Sequence, residues 1–195
     1  MASNDVVVGF DPEVVDLDLL VESVQSGSRL KRQKAAATLS KLAHVNPEAV
    51  RPLNDVLIQA LDNDEARTRC SVLETLLILL DQDPSIAPKA SDYAEEALFD
   101  EDNGSLRLMG MRFLCKIGAA NPEASLKVWP SIDEALQCFH GDVEFNDMLL
   151  AVAGYAAGDV DDTVKTGLRE RLSFDSLNSK GLLRKRAQAV LDALS

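Results

Sequence analysis

The sequence has little with which to do chemistry. It holds two histidines, three cysteines and one tryptophan in 195 residues, and aromatics make up 5%. His44 and His140 have no Cys or Ser partner at an informative spacing, so no nucleophile–base pair is legible. Cys70, Cys115 and Cys138 are too few and too far apart for a disulfide framework or a zinc ligand set. Cys70 and Cys115 sit among apolar residues at helical spacing and are expected as buried thiols. There is no Gly-rich phosphate loop and no metal-ligand spacing. Asp159, Asp161 and Asp162 follow Gly158 without an EF-hand pattern. The Glu95/Glu96 pair falls on a helix surface. These absences point away from an enzyme, a metal site or a bound cofactor. Long apolar runs are missing too. Met148 to Gly158 is eleven residues with two glycines, well short of the roughly 20 that cross a bilayer. Met1 to Asp5 has no basic region, and Val6-Val7-Val8 is too short for a signal core. A soluble, cytoplasmic chain is expected, with no membrane insertion.

Positive charge is the next scarcity. There are 20 Lys and Arg against 32 Asp and Glu, a net charge of −12. Such a chain resists non-specific capture by nucleic acid or anionic lipid. Asp outnumbers Glu 20 to 12, and Lys is only 9 of the cations. That balance fits a protein kept soluble at high salt, where charge is screened within about 3 Å at 1 M. It equally fits an ordinary acidic cytosolic protein. The charge is uneven: residues 1–28 carry −6, residues 29–41 carry +5, residues 42–166 carry −14 and residues 167–195 carry +3.

What the chain does have is a repeat. Asn46-Pro47-Glu48-Ala49-Val50, Asp83-Pro84-Ser85-Ile86-Ala87 and Asn121-Pro122-Glu123-Ala124-Ser125 place prolines 37 and 38 residues apart. Asp159-Val160-Asp161-Asp162 continues the series without proline. A second marker runs in phase: Val24 to Ser28, Leu61 to Glu65, Leu98 to Gly104, Phe139 to Asp142 and Phe174 to Ser176. Between the breaks the apolar residues keep a helical period, as in Val72, Leu73, Leu76, Leu77 and Leu80. Strand signals are weak. Pro52, Pro88 and Pro130 each fall near an expected helix start, where a missing N–H costs little, and Ser131 or Asp133 could cap the last of these.

Five helical pairs follow: Asp16–Ser26 with Arg29–His44, Glu48–Leu61 with Glu65–Leu80, Lys89–Phe99 with Gly104–Ala119, Pro130–His140 with Val143–Ala157, and Asp161–Leu172 with Ser179–Leu194. One pair cannot bury its apolar face alone, so neighbours must stack. The expected fold is all-α, an α-solenoid wound as a right-handed superhelix over residues 16–195. Residues 1–15 are expected as a flexible lead-in.

The segment Leu61 to Leu76 has a Leu-Asp turn, an Arg just inside the second helix and spaced small and apolar residues after it. Residues 98–117 repeat that order. This pattern resembles the HEAT/armadillo helical-repeat family. The unit is slightly shorter than that family's roughly 40–47 residues. Val143 to Asn146 has no Arg, which leaves the register of units four and five open. The resemblance implies the fold, with second helices lining a concave surface. It implies no single function, because such repeats serve unrelated roles. Some HEAT-like proteins are DNA glycosylases with a cationic, aromatic groove. Residues 42–166 carry 9 bases against 23 acids, and Trp129, Tyr93 and Tyr155 are scattered. Nucleic acid is therefore not an expected partner. Trp129 is expected to pack between repeats.

Arg32, Arg69 and Arg107 stand one repeat apart and would form a ladder in a stacked solenoid. Asp62, Asp64, Asp100 and Asp102 are the acids expected beside it, giving inter-repeat ion pairs. The other candidate site is a polar and basic strip of Lys34, Thr38, Lys41, Arg112 and Lys116 along the concave face. Ser71, Thr75 and Ile78 occupy the matching face between them. The strip could receive a protein partner with an acidic or phosphorylated segment, or be a solvated face paired with the acidic N-terminal residues. Arg184-Lys185-Arg186 is a second cluster that could simply cover the last repeat. The reading is a non-catalytic interaction or scaffold module. Two alternatives stand beside it: self-assembly of end repeats, as a homo-oligomer through Leu182, Leu183, Val190, Leu191 and Leu194, and a lyase-like accessory subunit of an enzyme.

Overall fold

The computed structural model describes residues 15–194; the expected lead-in, apart from residue 15, lies outside them. Helices run in order as α1 (Leu17–Ser26), α2 (Arg29–Val45), α3 (Pro47–Val50), α4 (Asn54–Ala60), α5 (Ala66–Leu79), α6 (Ile86–Leu98), α7 (Gly104–Gly118), α8 (Pro122–Cys138), α9 (Phe145–Ala156), α10 (Asp162–Asn178) and α11 (Gly181–Ala193). A 3₁₀ turn, Arg51–Leu53, joins α3 to α4. Among the described residues there is no strand. No helix there is long and apolar enough to cross a membrane.

The Asx-Pro repeat stands at the start of the first helix in units two, three and four, and its chemistry explains why. Asn46 and Asn121 are N-caps whose side chains accept from the backbone N–H of Ala49 (3.3 Å) and Ala124 (2.9 Å). Pro47 and Pro122 follow at the first helical position, where a missing N–H leaves nothing unpaired. Asp83 plays a related part just before α6, accepting from the Ser85 N–H at 3.0 Å and the Ser85 hydroxyl at 2.6 Å. Those two bonds hold its carboxyl below the usual carboxylate range.

Three expectations fail here. Pro130 does not start the fourth unit; it lies inside α8, which begins at Pro122. Its missing N–H leaves the Leu126 carbonyl without an intrahelical donor, and both residues lie on the exposed side of α8, where water reaches that carbonyl. Ser131 and Asp133 are therefore not caps: the Ser131 hydroxyl donates to Glu95 (2.6 Å) and Asp133 receives Arg171 (2.5 and 2.8 Å). Pro52 falls in the 3₁₀ turn that splits the second unit's first helix in two. Phe174 to Ser176 is not a break but part of α10. Asp175 is buried there with its carboxylate satisfied, by the Ser179 hydroxyl at 2.7 Å and by His140 Nε2 at 3.0 Å.

The second helices α2, α5, α7, α9 and α11 pack in sequence against one another, and the first helices flank them on the other side. The core runs continuously along this seam, through Leu39, Leu73, Leu76, Phe113, Leu149 and Val152. No pair has a closed core of its own, which is the energetic signature of a solenoid. Trp129 does pack between units, over Gly167 of α10, where an added Cβ would meet the indole at 2.4 Å. Cys115 is buried, Cys70 partly so and Cys138 exposed.

Candidate functional site

The arginine ladder forms, but with other acids. Arg32, Arg69 and Arg107 each occupy the fourth position of a second helix. Arg32 donates to Gly27 O at 2.6 Å and pairs with Glu65, one repeat ahead. Arg107 pairs with Glu144, again one repeat ahead, through Nε at 2.6 Å. Glu65 and Glu144 are the N-cap residues of α5 and α9. Each glutamate is thus set where a helix dipole favours an anion and where the preceding unit's guanidinium arrives. The equivalent N-cap for Arg69 is Asn103, which is neutral, so Arg69 turns to Glu96 of α6 at 3.1 Å. Position four of α9 is Met148, and the ladder stops there.

The four aspartates expected beside the ladder do other work or none of this kind. Asp62 accepts from the Tyr93 hydroxyl at 2.6 Å. Asp100 accepts the N–H of Asp102 (3.1 Å) and Asn103 (2.8 Å) within its own turn. Asp64 and Asp102 are exposed at the turns. The signal that finds the true partners is a Glu immediately before or just ahead of the second helix, 33 to 37 residues after the Arg.

This pairing makes a prediction about acid. The Arg32 hydrogen bond, helped by the Thr68 hydroxyl, holds the Glu65 carboxyl below its ordinary value against the opposing effect of burial. A depressed folded value means that the unfolded chain binds more protons near pH 4. The pair's contribution is present above the ordinary Glu value of about 4.3 and is lost as pH falls below it. Glu65→Gln is expected to flatten this part of the acid-unfolding curve, so the variant's melting temperature changes less between about pH 5 and pH 3 than the parent's. Equal slopes would show that the carboxylate is not stabilised in the fold.

The expected basic strip is divided by the structure into two hollows on the row of second helices. The larger, of about 650 Å³, lies across α5, α7 and α9. Leu77, Ile78, Leu150, Ala151 and Gly154 give it apolar lining, and Arg112, Lys116 and Asp81 line it too. Lys116 Nζ is 2.5 Å from Asp81. The second, of about 610 Å³, lies between α2, α5 and the start of α7. Lys34 and Arg67 are its cations, with Leu30, Gln33, Ala37, Cys70 and Ser71 beside them. Thr38 lines neither; its hydroxyl donates to Lys34 O in its own helix at 2.9 Å. Lys41 is exposed on α2 outside both hollows.

Sequence phase misplaced one helical position between the hollows. Thr75 is fully buried and donates to Ser71 O at 2.8 Å. Glu74 takes the exposed edge instead, accepting from the Ser40 hydroxyl at 2.7 Å and facing His44 Nε2 at 3.7 Å. The face is therefore cationic with anionic interruptions at Glu74 and Asp81.

Three groups that line the two hollows are held in their neutral, protonated forms. Burial pushes the Cys115 thiol far up, and burial also raises Tyr155, whose hydroxyl donates to Ser125 O at 2.8 Å. Cys70 is raised by burial and by Glu74, against the opposing pull of Arg112. Protonated thiols are poor nucleophiles and poor ligands. Among the described residues no three His, Cys, Asp or Glu side chains converge as a metal site would require.

No protein-family model matches the chain, and no curated protein matches it in sequence. Solved structures do match in fold. A crystal structure of computationally designed armadillo repeat proteins for modular peptide recognition superposes with a TM-score of 0.68 at 19% identity, over 90% of this chain and 81% of that one. A second designed armadillo repeat protein gives 0.59 at 16% identity over 92% and 100%. A third, in complex with a (KR)4 peptide, gives 0.60 at 15% identity over 93% and 100%. The described residues form an all-α repeat solenoid with the fold of these designed armadillo repeat proteins.

Proposed function

We propose that the chain is a non-catalytic interaction module that takes an extended segment of a protein partner along its second helices. The observation that carries this reading is the open hollow across α5, α7 and α9, lined by apolar residues together with Arg112 and Lys116. Solenoid curvature makes such surfaces long and continuous. Designed armadillo repeat proteins similar in fold are built for peptide recognition, and one is bound to a basic (KR)4 peptide. Here the cations on the inner face favour the opposite charge. Lys34 and Arg67 at one hollow and Arg112 and Lys116 at the other favour an acidic or phosphorylated segment carrying apolar side chains for the apolar lining. Lys41 extends this charge on α2.

The probe is a fluorescein-labelled peptide of alternating Glu and Leu, with a Lys and Leu peptide of the same length beside it. The acidic peptide is expected to bind and to weaken by about tenfold when Arg112→Glu and Lys116→Glu are combined, a loss of about 1.4 kcal/mol. Both residues are on the surface side of α7, so helicity measured by circular dichroism stays unchanged. Preference for the basic peptide, or equal binding by the variant, sinks the assignment.

A further inference from the structure

The last repeat displays apolar side chains that the solenoid does not cover. Phe174 and Leu177 lie three residues apart on α10, each 70% exposed, and Leu182 at the start of α11 is 51% exposed. They flank the short turn Ser179-Lys180. Three exposed cations, Lys180, Arg184 and Lys185, follow in the turn and the first turns of α11, and none makes an ion pair among the described residues. The other large apolar residues of α11 and its C-cap are spent within the fold: Val190 and Leu194 are buried, and Leu183 and Leu191 pack against the core.

The first repeat presents the complement. The outward face of α1 carries Asp18, Leu19 and Glu22, all exposed, with Leu19 57% exposed. Asp18 and Glu22 likewise make no ion pair among the described residues. The cations Arg29 and Lys31 stand beyond the turn at the far end of α1.

We infer that the chain associates head to tail, the Phe174–Leu177–Leu182 patch of one copy docking on the outer face of α1 of a second copy. Charge decides the occupant. Tail-to-tail pairing would bury the same apolar area but would set Lys180, Arg184 and Lys185 against their own copies, at a cost in like-charge repulsion. Head-to-tail pairing sets them against Asp18 and Glu22. Such a contact is heterologous, so the association does not stop at a pair unless it closes into a ring.

The test uses two variants of exposed residues, which leave the core untouched. The tail variant is Phe174→Asp with Leu177→Asp; the head variant is Leu19→Asp with Glu22→Lys. In analytical ultracentrifugation over a dilution series at low salt, the parent chain is expected to form concentration-dependent oligomers. Each variant alone is expected to be monomeric. An equimolar mixture of the two is expected to give a heterodimer, because the tail variant keeps a good head and the head variant a good tail. Salt is expected to weaken the parent's association. A parent chain that is monomeric throughout, a tail variant that still self-associates, or a head variant that associates like the parent would each overturn the inference. In the last case the contact would be tail to tail.

Discussion

Gly110→Ala is expected to destabilise the chain by about 2 kcal/mol and Gly110→Val to prevent stable folding. Gly110 sits in the middle of α7, buried against α6. An added Cβ would come within 2.5 Å of both the carbonyl oxygen of Ala94 and the amide nitrogen of Leu98, and 2.9 Å from the Leu98 Cα. All three are backbone atoms inside a helix, so no side chain can rotate away. The two helices would have to part by roughly 1 Å to restore a normal contact. That parting loosens Ala94, Ala97 and Leu98, each fully buried at this seam. Alanine normally gains about 1 kcal/mol over glycine inside a helix. The steric cost must exceed that gain for the variant to be less stable, and overpacking costs of about 1–3 kcal/mol are ordinary for displacements a side chain can absorb. Here the obstacle is two backbones, which puts the cost at or above the upper end. Urea unfolding followed by circular dichroism measures the difference. An Ala variant as stable as the parent would show that α6 and α7 do not approach so closely.

The close seam also marks what sequence could and could not show. Gly110 stands between Met109 and Met111 with no turn residue beside it, so it read as an ordinary helix interior. The period of the apolar residues and the Asx-Pro starts were legible because each has a local cause: a helical stripe, a side-chain cap and a pre-set φ. The unit count and the pairing of first and second helices followed from them. Pro130 and Asp175 were misread for the same reason in reverse. Their local preference is for a helix start and a turn, but the Asn121-Pro122 cap has already started α8 before Pro130, and Asp175 is buried with Ser179 and His140 on its carboxylate. The arginines were found by their repeat spacing, but their acids were assigned by nearness in sequence. Glu65 and Glu144 come from the following unit, which only the stacking brings into reach. The groove cations Arg112 and Lys116 were placed on the right helix, whereas the lining from α9 carried no sequence signal beyond small residues.

The Arg107–Glu144 lock is where the loss of one charge is expected to matter most, and Glu144→Ala should cost about 3 kcal/mol. The Arg107 and Glu144 side chains are 13% and 11% exposed. Arg107 holds four things at once. Its Nε reaches Glu144 at 2.6 Å, its Nη1 donates to the carbonyls of Asp100 (3.0 Å) and Glu101 (3.2 Å), and Asp142 lies 3.6 Å from Nη2. The guanidinium also lies 4.9 Å from the centre of the Phe139 ring. One side chain therefore ties the α6–α7 turn to the start of α9 across a repeat boundary. Removing Glu144 leaves a poorly solvated cation with two carbonyls, a ring and only the half-exposed carboxylate of Asp142 at 3.6 Å. Arg107→Lys should not rescue the wild-type stability, since one ammonium cannot span carboxylate and carbonyls as the planar fork does. The double variant Arg107→Met with Glu144→Leu should be less damaging than the sum of Arg107→Met and Glu144→Leu alone, with a coupling of about 2 kcal/mol. A coupling near zero in that cycle would mean the pair is solvated in solution and does not hold the third and fourth units in register. A coupling of the expected size, with amide exchange in α9 accelerated in Glu144→Ala and exchange in α2 unchanged, would place the loss at this boundary alone.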